Sequence, residues 1–255
     1  MDIVIQGPVY NYTLEFAEHY LQLEFVNNVI ISCWKSDNIE TNNPRIIVVK
    51  SDDVDNPGDV NRNRQIKSSL EGLKHVKTEF SARFRSDQKI SLESMKMMYT
   101  FYEKNKEREL TFYDNASKPK NKICVAGIFR PYPFHPRDHM FWGNTEDLLD
   151  VFNIPYSNTL PGDCNYNNIT RAEAYIASHY YAKFDPIINT FINNDKMYLV
   201  DNAPKIAEAF DINNKIITKV FQPFPKIEFE WPRQNLKQYY YDYTEKYYGE
   251  YWGQQ

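Results

Sequence analysis

No glycine-rich loop carrying Arg and Lys follows the first apolar run of this 255-residue chain, an absence that weighs against a nucleotidyltransferase. Cysteine is sparse. Cys33, Cys124 and Cys164 stand far apart without a CxxC pair, so neither a zinc site nor a disulfide framework is expected, and reduced thiols in a cytosolic setting are the plainer reading. No apolar run approaches the roughly 18 residues that a membrane span needs. The opening MDIVIQGP reads as a short strand rather than a signal peptide, and the expected location is cytoplasmic. Positive charge is not in excess either. The 30 Lys and Arg face 34 Asp and Glu, a net charge of −4, which argues against a nucleic-acid partner held by bulk charge. Any anion the protein holds must meet a local cluster of Arg and Lys. His19, His75, His135, His139 and His179 lack zinc-site spacing. No linker rich in Gly and Ser and no internal repeat divides the chain, so a single domain over residues 1–255 is expected.

What is present is an alternation of short apolar runs and amphipathic stretches, with an apolar content of 42% that can bury a sizeable core. Asp2–Gln6 reads as a strand stopped by Gly7-Pro8. Residues 13 to 25 carry Leu14, Phe16, Ala17, Tyr20, Leu21 and Phe25 at helical spacing behind Thr13, a candidate N-cap. Val29–Cys33 and Arg45–Val49 read as buried strands, a helix is expected from about Arg64 to Leu73, and Phe80–Arg85 is the next strand. A helix over Leu92–Tyr102 and a strand over Ile123–Phe129 follow, then Met140–Gly143 as a short strand, Asn144–Phe152 as a helix and Ala172–Lys183 as another. This order predicts an α/β fold with a mostly parallel sheet covered by helices on both faces.

The segment Phe80-Ser81-Ala82-Arg83-Phe84-Arg85-Ser86-Asp87 carries the most chemistry. Side chains alternate across a strand, so Ala82 and Phe84 share one face and Arg83 and Arg85 the other. Buried guanidinium groups need carboxylates, or a phosphate ligand at the C-terminal end of the strand, where open α/β sheets hold their ligands and where Asp87 stands. Two readings stand level here. Asp87 holds a divalent cation that bridges a pyrophosphate, or Arg and Asp close a turn as an ion pair. A second anion-binding element is the start of the helix near Arg64 and Gln65, where Arg62 and Arg64 can add charge-assisted bonds to phosphate oxygens or simply face solvent. Gly7 allows close backbone approach to a nucleotide, and Trp34 stands where it either stacks a base or covers the sheet edge.

Taken in order, IVIQGPV, ISCW, NPGDVNRNRQIKSSLEGL and ARFRSD resemble the motifs of the WavE lipopolysaccharide-synthesis family, and DHMFWGNTEDLLDVF and RAEAYIA fit its second half. The resemblance runs from Ile3 to about Ala177 and departs from the pattern at Arg83, where Lys is expected, and at Ala172, where Pro usually precedes the Glu. It implies a GT-A-like glycosyltransferase that moves a sugar from a nucleotide-diphosphate sugar to a glycan acceptor in surface or core polysaccharide synthesis, inverting and assisted by Mn2+ or Mg2+. Residues 1–129 would then be the nucleotide-sugar-binding half, 130–230 the acceptor half, and 231–255 an aromatic tail. By the same resemblance Gln6, Gly7 and Pro8 line the nucleotide and Arg64 meets the diphosphate. Arg85, Ser86 and Asp87 become the counterpart of the Asp-x-Asp element, with Asp87 as metal or donor-sugar ligand. Arg85 takes the place of the first Asp. Either one carboxylate and the pyrophosphate hold the ion, or Arg85 replaces part of its charge.

An inverting transfer needs a general base near the acceptor hydroxyl, usually a carboxylate. Glu173 and Asp138 are the candidates, with Glu173 preferred and Asp163 behind them in a Pro-Gly-Asp turn. Glu173 opens a predicted helix, where the dipole alone favours a Glu; Asp138 precedes an aromatic strand on which an acceptor sugar could stack. A different class of function is a non-catalytic carbohydrate-binding or scaffold protein on the same fold. The missing first acid and the tail aromatics Tyr239, Tyr240, Tyr241, Tyr243, Tyr247, Tyr248, Tyr251 and Trp252 suggest it, and such a surface also suits a homodimer.

Overall fold

The computed structural model describes residues 1–106, 119–128, 134–158, 160, 172–184, 188, 220–232 and 236–241. In chain order the elements are β1 (Asp2–Gln6), α1 (Thr13–Tyr20), β2 (Val29–Trp34), β3 (Ile46–Ser51), α2 (Arg62–Leu73), β4 (Phe80–Arg85), β5 (Lys89–Ile90), α3 (Leu92–Asn105), β6 (Ile123–Val125), β7 (Met140–Asn144), α4 (Thr145–Phe152), α5 (Ala172–Tyr181), β8 (Phe221–Pro223), β9 (Lys226–Trp231) and β10 (Leu236–Tyr241). A seven-stranded sheet has the order β3-β2-β1-β4-β7-β6-β8. Its first four strands are parallel, β7 runs antiparallel to both β4 and β6, and β8 is parallel to β6. This is the α/β arrangement, a mostly parallel sheet flanked by helices, that the sequence predicts. A second sheet, β10-β9-β5, is antiparallel.

Strand alternation sorts the core into two faces. Val4, Ile30 and Phe141 pack with Ile66 and Leu73 of α2, Leu148 of α4 and Tyr180 of α5. Ile3, Ile5, Phe84 and Trp142 pack with Phe16 and Tyr20 of α1 and with Met95 and Met98 of α3. Phe141 and Trp142 are both fully buried, on opposite faces of β7, and each contributes about 1.5–3 kcal/mol by leaving water. α2 sits unusually close to the sheet. A Cβ on Gly72 would lie 2.5 Å from Val4 Cγ1, so glycine is what lets this helix approach β1. Cys33 and Cys124 are free and buried. Among the described residues no helix is long and apolar enough to cross a membrane.

Several boundaries differ from the sequence reading. α1 stops at Tyr20, and Thr13 is its first residue rather than its cap, with the Thr13 Oγ1 accepting from the Tyr10 N–H at 2.8 Å. β3 is the edge strand, so only Ile46 and Val49 are buried, Ile47 and Val48 are half-buried and Lys50 is exposed, instead of the run being buried throughout. α2 begins at Arg62, directly after a tight turn at Asp59–Asn61 in which Val60 and Asn61 both hold positive φ (47° and 58°). Tyr243, Tyr247, Tyr248, Tyr251, Trp252, Asp163 and Cys164 lie outside the described residues.

Chain direction fixes where a ligand fits. After β1 the chain moves outward to β2 and β3, then returns to place β4 on the other side of β1. Between β1 and β4 the order reverses, which opens a crevice beyond the C-terminal ends of the parallel strands.

Candidate active site

A cleft of about 420 Å3 lies at that reversal. Gln6, Gly7, Pro8 and Tyr10 line it from the end of β1, Trp34 and Ser36 from the end of β2, and Asp53 from beyond β3. Val60, Asn61, Arg64, Gln65 and Ser68 line it from the turn and α2, Arg85, Ser86 and Asp87 from the end of β4, and Asp138 from the segment before β7.

The floor is held by bonds that carry on past the sheet. The Ser86 N–H donates to the Gln6 carbonyl at 2.9 Å, the Gly7 N–H to the Ser32 carbonyl at 3.2 Å, and the Ser86 hydroxyl to the Pro8 carbonyl at 2.8 Å. Gly7 sits at φ +125°, a conformation that only glycine adopts without strain. The Ser68 hydroxyl donates to Gln6 Oε1 at 2.5 Å and so ties α2 to β1.

Two arginines reach the cleft. Arg64 donates from Nε to Asp53 Oδ1 at 2.9 Å and from Nη2 to Oδ2 of the same residue, and from Nη1 to Asn61 Oδ1 at 3.2 Å. This ion pair is exposed, and it lowers the Asp53 pKa while raising that of Arg64. Arg85 lies between two carboxylates. Its Nε and Nη2 donate to Asp87 Oδ1 and Oδ2 at 3.0 and 2.8 Å, and its Nη1 to Asp138 Oδ1 and Oδ2 at 3.2 and 3.3 Å. Burial opposes the Arg85 charge, but Asp138 and Asp87 outweigh it and raise the pKa. Asp138 also accepts from Gln65 Nε2 at 2.7 Å. Burial alone would lift the Asp138 carboxyl, yet Arg85, His139, Arg83 and Gln65 hold it well below the usual carboxylate range.

Arg83, two residues before Arg85 on the same strand face, is fully buried. Its Nε donates to Ser69 Oγ at 2.9 Å and its Nη1 to the Asp138 carbonyl, and it lies over the rings of Phe141 and Phe152. Burial pulls its pKa down to about 9, which leaves it charged at neutral pH.

Ten of the twelve residues expected at the site from the sequence line the cleft: Gln6, Gly7, Pro8, Trp34, Arg64, Gln65, Arg85, Ser86, Asp87 and Asp138. Arg62 does not. Residues two apart on a helix point about 200° from each other, so a helix that begins at Arg62 and turns Arg64 to the cleft turns Arg62 inward. There the Arg62 Nε donates to the Asp59 carbonyl at 3.3 Å, Nη2 lies 3.6 Å from Asp59 Oδ2, and the guanidinium covers the Tyr175 ring at 5.1 Å. Glu173 is also off the cleft, in the first turn of α5, with Oε2 3.8 Å from Nε2 of the buried His135. Asp53 and Ser68 were not foreseen. Ser68 stands one helical turn after Arg64, which is a spacing signal, and Asp53 belongs to an acidic run just beyond a strand end.

The expected Mn2+ or Mg2+ needs oxygen ligands. Both Asp87 oxygens accept from Arg85, Asp138 accepts from Arg85 and Gln65, and among the described residues no three His, Cys, Asp or Glu side chains come together as a metal site. As arranged, these residues do not fit a divalent ion.

Compared with known proteins, the chain matches the WavE lipopolysaccharide synthesis family model over residues 1–194. No curated protein matches it. Among solved structures, S. aureus TarS 1–349 is 16% identical, with 71% of this chain and 55% of that chain covered at a TM-score of 0.40. The same TarS fragment in complex with UDP-GlcNAc is 17% identical over 71% of this chain and 53% of that one, also at 0.40. HddC from Yersinia pseudotuberculosis is 11% identical over 58% of this chain and 79% of that one, at 0.35. The chain thus spans about half the length of the TarS fragment. The family match covers well over half of the sequence and includes every residue that lines the cleft, and the chain belongs to the WavE lipopolysaccharide synthesis family.

Proposed function

We propose that the protein is a glycosyltransferase that takes a sugar from a nucleotide-diphosphate donor and passes it to a glycan acceptor during polysaccharide synthesis. Membership of a lipopolysaccharide synthesis family supports the pathway. The observation that carries the chemistry is the convergence of Arg64 and Arg85 on one cleft at the reversal of strand order, beside a glycine that admits close backbone approach.

In this reading the nucleoside lies against Gln6, Gly7, Pro8 and Trp34. The diphosphate crosses the start of α2, where the helix dipole favours an anion, and meets Arg64 once that side chain leaves Asp53. The diphosphate then reaches Arg85 at the end of β4, and the sugar extends toward Asp87 and Asp138. During transfer the bond from the sugar's anomeric carbon to the diphosphate oxygen breaks, and the acceptor oxygen bonds to that carbon as its proton passes to water in the open cleft. Negative charge grows on the leaving diphosphate, and the Arg85 guanidinium, already fixed at the end of β4, stabilises that charge together with the released Arg64. Asp138 is held as an anion by Arg85 and Gln65, so its part is to fix Arg85 in place rather than to collect a proton.

The test is release of nucleoside diphosphate from UDP-, GDP- and dTDP-sugars, with and without core oligosaccharide acceptors. Acceptor-stimulated release from one nucleotide class, lost in Arg85→Ala, is expected. Absence of release from all of them would count against the reading.

A further inference from the structure

We propose that Arg83 and Arg85 supply, from within the protein, the two positive charges that a divalent cation would bring to the diphosphate subsite, so that donor binding needs no metal. The inference rests on the donor-site reading above. A metal at this position would bridge carboxylates. Here Asp87 and Asp138 are already bridged, by a guanidinium that reaches Asp87 at 2.8 and 3.0 Å and Asp138 at 3.2 Å. Strand alternation puts Arg83 on the same face, so two fixed positive charges meet two carboxylates and the cluster is neutral as it stands. A dication placed between Asp87 and Asp138 would have to displace Arg85 and then sit against it.

Arg83 gives the arrangement permanence. Its hydrogen bonds go to neutral oxygens, Ser69 Oγ and the Asp138 carbonyl, and its Nη2 is buried with no hydrogen-bond partner among the described residues. It is a positive charge that no carboxylate touches directly, anchored beneath Arg85 between Phe141 and Phe152 at 5.8 and 5.3 Å. Its field falls on the end of β4, where the diphosphate would lie. A guanidinium also presents paired N–H donors that match phosphate oxygens, which a bare ion does not.

The test titrates UDP, GDP and dTDP into the full-length protein and into Arg85→Ala and Arg85→Lys, first in EDTA and then in excess Mn2+. The nucleotide that binds wild type is expected to do so with an affinity that differs by less than about threefold between the two conditions. Arg85→Ala is expected to weaken binding in EDTA by about tenfold or more and, with Asp87 and Asp138 released, to regain part of it with Mn2+. Arg85→Lys keeps the charge but loses the fork, so it should fall between them without gaining from Mn2+. Wild-type binding about tenfold or more tighter in Mn2+ than in EDTA overturns the proposal. Binding in neither condition overturns the donor-site reading itself, and this inference with it. Should Arg85→Ala fail to melt cooperatively, the wild-type comparison alone decides.

Discussion

Gly7 and Ser86 meet across the tops of β1 and β4, close enough that a Cβ on Gly7 would stand 2.7 Å from the Ser86 hydroxyl oxygen. The contact joins the two strands whose separation opens the cleft, and the same hydroxyl is bonded to the Pro8 carbonyl at 2.8 Å. Gly7→Ala should therefore lower stability by about 1–3 kcal/mol through backbone strain and displace the rim of the cleft. Urea unfolding measures the first effect and nucleotide titration the second. Adding Ser86→Gly should relieve the contact but not the strain of φ +125°, so rescue should be partial.

Arg64 is held by Asp53 in a pair whose side chains are 41% and 39% exposed, so solvent screens it and it adds at most about 1 kcal/mol to stability. Asp53→Asn should leave the melting temperature nearly unchanged and raise the affinity for inorganic pyrophosphate several-fold by freeing Arg64. Arg64→Gln should lower that affinity by about tenfold, the scale of one charge-assisted contact. Calorimetric titration of both variants separates these outcomes.

Arg62 gives the opposite pattern. Arg62→Met leaves Asp59 buried without its ion pair, and a loss of about 3 kcal/mol is expected in denaturant unfolding. Pyrophosphate affinity should change far less than in Arg64→Gln. Equal losses of affinity in the two variants would return Arg62 to the binding surface.

Acid should weaken the fold in two stages. Burial pushes the His139 ring down to about 3, so the unfolded chain takes up this proton first. Its contribution is complete above about pH 6.5, the unfolded value, and is lost as pH falls from there toward the folded value, at up to about 1.4 kcal/mol per pH unit. His19, partly buried and beside Lys89, shifts in the same direction and adds to the slope. Asp138 is depressed below its unfolded value, so its contribution is present above about pH 4 and is lost below that. Urea unfolding from pH 7.5 down to pH 4.5 should show declining stability, and His139→Gln should flatten part of that slope.

Much of this architecture is legible in the sequence because the residues that build it act locally. The β-branched runs of β1 and β2 declare buried strands, and the period-two alternation of Ala82, Arg83, Phe84 and Arg85 fixes which face each side chain takes. Arg85 and Asp87 could be placed together at the end of β4 for the same reason. Arg62 could not be read, since a lone Arg near a helix start is ordinarily solvated. What buries it comes from afar, with Ser157 and Tyr175 closing over it beside Asp59. The partnership of Asp138 with Arg85 is equally remote, because β7 returns antiparallel beside β4 only once the sheet has formed. Glu173 is a candidate base as a carboxylate in the family's second half, although the first turn of a helix alone favours a Glu. In the structure it does not line the cleft, and its carboxylate faces the buried His135. The two-residue β5 carries too little pattern to announce its pairing with β9.

The most direct measurement is a thermal-shift comparison of wild type and Arg64→Gln with UDP, GDP, CMP and dTDP at millimolar concentration. A ligand present at about 100 times its Kd adds about 2.7 kcal/mol to the folded state, so one nucleoside diphosphate should raise the wild-type Tm by several degrees. That rise should shrink or vanish in Arg64→Gln. An unchanged Tm with every nucleotide in the wild type would contradict the cleft as a donor site and favour a non-catalytic carbohydrate-binding role for the fold.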